Sequence, residues 1–155
     1  MIKNERQYRI TKAQAQRFEQ ALADLANYAE DKKQENPILF EAQRSALGSQ
    51  LGDLREELTE YEALTIHEND EPLVFELNSL EALPLALIKA RIATKLSQKD
   101  LAERLGLKEQ QIQRYEATEY ASANLARVIK VSQALGMKLQ SRAGIEVELG
   151  AVRQL

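Results

Sequence analysis

The chain has 155 residues, of which 44% are hydrophobic and 29% charged, and its net charge is −3; such a composition suits a helix-rich globular protein with one sizeable core, or one small domain with an appendage. No apolar run approaches the roughly 18–20 residues that a bilayer-spanning helix needs, and Met1–Arg6 leads into polar sequence instead of a secretory signal. The lack of cysteine excludes disulfides, thiolate catalysis and cysteine-ligated zinc.

In chain order, the first predicted helix runs from Thr11 to Glu30, with Phe18, Leu22, Leu25 and Ala29 on one face at steps of 4, 3 and 4. The polar stretch 31–37 ends in Pro37 and separates it from a second helix, Ile38 to about Ala63. There Leu47, Leu51, Leu54, Leu58 and Tyr61 recur at 4, 3, 4 and 3. A short loop between two such stripes predicts an antiparallel helical hairpin over residues 1–63, an interaction or dimerisation surface. Gly48 and Gly52 lie inside the second helix, each costing about 1 kcal/mol against alanine. Either they allow close approach to Ala21, Ala23 and Ala26, or the helix breaks near Gly48. Residues 64–78 read as a linker, with a charged turn at 67–72 and an extended stretch at Leu73–Leu77.

The remainder, 79–155, has the opposite electrostatic sign. Residues 1–81 hold 9 Lys/Arg and 17 Asp/Glu, whereas residues 82–155 hold 12 and 7. Local sign, not the chain average, governs attraction to phosphate. Pro84 to Leu96 predicts a helix with Leu85, Ile88, Ile92 and Leu96 on one face. Ser97 is a good N-cap for a second helix, Gln98–Leu105, with Asp100 supporting its start and Gly106 ending it. A third helix runs from Lys108 or Glu109 to Glu116, burying Ile112 and Tyr115. So tight a turn makes the two helices cross steeply, needing a small residue at the contact, glycine at the corner and a branched apolar residue behind. Ala102, Gly106 and Ile112 meet those needs. The third helix then projects as a ridge, of a size that fits the major groove of DNA. A fourth helix, Asn124–Leu135, is expected to bury Leu125, Val128, Ile129 and Leu135, and Met137–Leu149 alternates as a β-hairpin.

From Leu96 to Glu116 the sequence resembles the Xre/Cro helix-turn-helix of phage repressors and many bacterial regulators, a likeness that extends from about Ala82 to Leu139. The fold class that follows is mainly α: a five-helix, lambda-repressor-like helix-turn-helix domain with an N-terminal helical hairpin and a short C-terminal β-hairpin. The resemblance implies that Gln98 holds a phosphate or base, and that Glu109, Gln110, Gln111, Gln113 and Arg114 read bases. The chemistry agrees, since Gln pairs bidentately with adenine, Arg with guanine, and Glu accepts from cytosine. Without the preceding turn the glutamines would read as a solvated face. Ser97, Lys99, Lys108, Tyr120 and Ser122 complete the expected DNA-binding set, with Ser122 equally readable as the cap of the fourth helix. Lys108 stands where the family often has Ser or Thr, and the loop after Glu116 lacks the usual glycine. Arg91 and Glu116 are implied to form a partly buried ion pair that fixes the recognition helix.

The expected partners are double-stranded DNA and a second copy of the chain, with no cofactor, metal or membrane. The expected setting is the bacterial cytoplasm, at the nucleoid. A helical arm ahead of such a domain is also similar to antitoxins of the HigA kind, which implies a possible toxin protein as a further partner. An enzyme is the opposing class. His67, the single histidine, sits with Glu68, Asp70 and Glu71 in an acidic turn that no second histidine or cysteine completes. No Walker loop, dinucleotide fingerprint or serine elbow occurs, so catalysis is not expected.

Overall fold

The computed structural model describes residues 1–27, 36–66 and 72–138. These form six α-helices and one 3-10 turn, and no strand occurs among the described residues. Helix α1 (Glu5–Asn27) starts a turn and a half before the expected Thr11. Asn4 is the reason: its Oδ1 accepts from the Gln7 amide at 2.9 Å, closing a free end that the apolar pattern does not reveal. Helix α2 (Pro37–Ile66) has proline at its first position, and Asn36 Oδ1 accepts from the Leu39 amide at 3.1 Å.

The two helices pack along each other through Ala15 and Leu25 of α1 and Phe40, Leu51 and Tyr61 of α2. Tyr8 stacks on Tyr61 at 5.2 Å and its hydroxyl donates to Glu62. Neither reading of the glycines holds. α2 continues unbroken through Gly48 and Gly52, and among the described residues no atom outside the local helix backbone lies within 4 Å of a Cβ placed at either. A helix of 30 residues tolerates both without a contact that requires them.

After α2, residues 72–79 form no regular element; Phe75 packs against the core while Val74 stays exposed. The 3-10 turn Leu80–Ala82 leads into α3 (Leu83–Ala93), followed by α4 (Gln98–Arg104), α5 (Glu109–Ala117) and α6 (Leu125–Ala134). Leu87, Ile88, Leu101, Ile112 and Val131 are wholly enclosed at the centre of these four helices. Tyr61 and Leu64 from α2, and Ile2 from the N-terminus, join the same cluster. The hairpin thus rests its base on the C-terminal helices.

The C-terminal part has four α-helices among the described residues where five were expected, and the β-hairpin of Met137–Leu149 falls, beyond Lys138, outside those residues. In α6 the buried stripe is Val128, Val131 and Leu135, at steps of 3 and 4, so Leu125 (71% exposed) and Ile129 (46%) turn outward. The cap of that helix is Asn124, whose side chain accepts from the Arg127 amide at 2.8 Å; Ser122 instead lies 3.4 Å from Thr118 Oγ1.

Candidate nucleic-acid interface

The turn between α4 and α5 is built from both ends. Ser97 Oγ accepts from the Asp100 amide at 3.0 Å, while the Asp100 carboxylate accepts from the Ser97 amide at 2.9 Å and from its hydroxyl at 2.6 Å. These reciprocal bonds satisfy two free donors at the start of α4, and they hold the Asp100 carboxyl below its ordinary range, Lys99 and Arg104 adding to the effect. At the other end Gly106, with φ +64°, passes the chain through the left-handed region. The Leu107 amide then reaches Ala102 O at 2.8 Å and the Gly106 amide reaches Glu103 O at 3.2 Å. That pattern ends a helix sharply. α5 begins at once, the Lys108 amide donating to Gln111 Oε1 at 3.0 Å.

Behind α5 lies a buried polar cluster. Glu116 has no exposed surface, and its carboxylate accepts from Arg91 Nε, from Arg91 Nη2 at 2.8 Å and from Gln98 Nε2 at 2.8 Å. Arg91, 3% exposed, also donates to Leu96 O and Lys3 O. Lys3 Nζ donates to Glu116 O at 2.6 Å, and Asn4 Nδ2 meets Gln98 Oε1 at 3.4 Å. The pair is fully rather than partly buried: three helices meet on one carboxylate, and the N-terminal segment joins them through the Glu116 carbonyl, Arg91 and Gln98. Such a cluster resists tilting of α5, because displacing it would strand a buried charge.

The residues expected to face DNA divide into three groups. Gln110, Gln113 and Arg114 are exposed on α5, with Gln113 Nε2 held by Glu109 Oε1 at 3.0 Å. Lys99, Lys108, Glu109, Gln111 and Ser122 are exposed too; Ser97 is exposed, but its hydroxyl is occupied in capping, as is the Gln111 oxygen. Gln98 and Tyr120 depart from expectation. Gln98 is 8% exposed and its amide faces Glu116, because a buried carboxylate with a free lone pair is a stronger acceptor than solvent offers. Tyr120 is 3% exposed and stacked on Tyr115 at 5.9 Å, and burial pushes its hydroxyl pKa well up. Left-handed backbone occurs at Glu119 (φ +47°) and Tyr120 (φ +59°), and the Tyr120 hydroxyl is sealed from the surface. Lys3 and Asn4 are the residues that sequence reasoning missed. They lie 113 and 94 positions from their partners, and no local pattern marks them.

Residues 87–141 match the family model described as Helix-turn-helix. This segment is similar to helix-turn-helix domains. No curated protein and no solved structure matches the chain. Helix-turn-helix domains are DNA-binding regulatory modules, and the matched segment contains the whole of α4, α5 and α6 and six of the seven buried residues of α3. Among the described residues no helix is long and apolar enough to cross a membrane, and no cluster of His, Cys, Asp and Glu could hold a metal ion.

Proposed function

We propose that the chain is a sequence-specific transcriptional regulator that inserts α5 into the major groove, binds as a two-fold dimer and lowers transcription of the genes it marks. The observation that carries this reading is the two-sidedness of α5. Ile112 and Glu116 are enclosed, while Gln110, Gln113 and Arg114 stand exposed on the same short helix. Bidentate contacts from Gln and Arg discriminate adenine and guanine, and Lys99 and Lys108 at the flanks suit phosphates. Dimerisation places two such helices about one DNA turn apart. Leu125 and Ile129, one turn apart and exposed on α6, offer an apolar pair for a second copy to cover. Selection of bound duplexes from a random pool tests the reading. A palindromic consensus with half-sites about ten base pairs apart is expected; recovery of unrelated sequences would remove base readout.

A second reading, an antitoxin that also binds a toxin protein, has one feature in its favour. A groove of about 460 Å³ on the hairpin is lined by Ile10, Ala13, Phe18, Ala21 and Leu47 together with Gln14 and Arg17. Open apolar surface of this kind suits a protein partner. Co-purification of one small protein from the native operon supports it; a chain that represses its own promoter alone, with no bound partner, goes against it.

A further inference from the structure

The acidic balance of the N-terminal half conceals a basic beginning. Residues 1–17 hold five Lys/Arg (Lys3, Arg6, Arg9, Lys12, Arg17) against one acid, Glu5. Arg6 and Arg9 are exposed, on the side of α1 away from Tyr8 and Ala15, which pack inward. Among the described residues neither forms an ion pair, whereas the cations of α2 do: Arg44 with Glu41 and Arg55 with Glu19. Two exposed guanidinium groups without carboxylates keep their hydrogen-bond donors free for an external anion.

Their position names the anion. Asn4, which caps α1, touches Gln98 at the start of α4, and Lys3 reaches the end of α5. In a docked helix-turn-helix the helix preceding the recognition helix crosses the sugar-phosphate backbone. With α4 docked in that way, the start of α1, held at the start of α4, comes near the backbone, and Arg6 and Arg9 lie within about 8 Å of that start along the helix axis. We infer that the outer face of the first turns of α1 is a second, sequence-independent DNA contact, in which Arg6 and Arg9 bind phosphates flanking the half-site. This rests on α5 reading DNA. It gives the hairpin a role in binding length and salt response, separate from base choice.

The test is a salt titration of the full chain on its selected duplex, read by fluorescence anisotropy. Each phosphate neutralised contributes about 0.9 to the slope of log K against log salt. Between 50 and 200 mM salt, Arg6→Gln/Arg9→Gln is expected to lose roughly tenfold less affinity than the wild type, as two phosphate contacts would give. Its preference for the selected over a scrambled duplex should not change. Arg6→Lys/Arg9→Lys keeps the wild-type slope, since charge is what displaces counterions, and Arg44→Gln on α2 keeps it too. A slope equal to wild type in Arg6→Gln/Arg9→Gln overturns the second contact while leaving base readout intact. A wild type that enriches no duplex sinks both.

Discussion

Helix α3 buries seven of its eleven residues, whereas the thirty residues of α2 bury four, Phe40, Leu51, Tyr61 and Leu64. α3 is surrounded; α2 has one partner along most of its length and leaves Ile38 (83% exposed) and Leu39 (53%) at its start open to solvent. The difference separates two tasks. A helix that presents bases with their readers must be held from behind within a fraction of an ångström. A hairpin with a single seam and an open apolar groove is suited to receiving something. Its base is an exception, because Ile2, Tyr61 and Leu64 are enclosed among the C-terminal helices.

The sharpest way to break this contrast is through Glu116. Glu116→Leu leaves the Arg91 guanidinium buried without its carboxylate, at an expected cost of about 3–5 kcal/mol in urea unfolding. Arg91→Met/Glu116→Leu should recover most of it, because a buried pair replaced by apolar side chains is often neutral. A double variant as unstable as the single one would mean that packing, not the uncompensated charge, governs the site. The hairpin has no equivalent. Its cross-helix pair, Arg55–Glu19, is 61% and 45% exposed, and Arg55→Ala should cost under about 1 kcal/mol.

Core truncation gives the next largest contrast. Ile112 has no exposed surface and sits among four helices, so Ile112→Ala is expected near the upper part of the 2–5 kcal/mol range for such deletions. Leu51, 6% exposed in the single seam, has neighbours that can close around the gap, and Leu51→Ala belongs near the lower end. Equal losses in thermal unfolding would show that both regions are enclosed alike.

The sequence made the C-terminal helices legible because their signals are local. Ser97 with Asp100, Gly106, and Ile112 each act within a few residues, and the helix limits at Gln98 and Glu109 follow from them. Arg91 and Glu116 were legible through family resemblance alone. The start of α1 was missed although its signal is local, because Asn4 caps the helix before the apolar stripe begins. The other misreadings arose where a tertiary contact decides. Leu125 and Ile129 are as apolar as Val128 and Val131, and only the placement of α6 turns them outward. Gln98 is expected from the resemblance to hold a phosphate or base, and the carboxylate that captures it lies eighteen residues away.

A third prediction concerns the exposed side of α5. Arg114→Ala should lose about 1–3 kcal/mol on the selected duplex and relax preference at one base position, measured by competition against single-base variants. Equal weakening on every duplex would reassign Arg114 to phosphate. Stability should hardly change, since the side chain is exposed and touches nothing in the core.

The smallest effect compares two helix caps. α1 is capped by Asn4, a neutral side chain, and α4 by Ser97 together with an ionised Asp100. The hydrogen bonds from Ser97 hold the Asp100 carboxyl below its ordinary value. A folded-state pKa lower than the unfolded one means that the carboxylate stabilises the fold above the unfolded value, about 3.9, and ceases to do so as pH falls through the folded value. The stability gap between wild type and Asp100→Asn should therefore be constant near neutrality and narrow below about pH 4. The gap between wild type and Asn4→Ala should show no such narrowing, because no proton binds at that cap. Parallel curves for Asp100→Asn down to pH 3 would show that charge has no part in starting α4, and that the hydroxyl of Ser97 caps it alone.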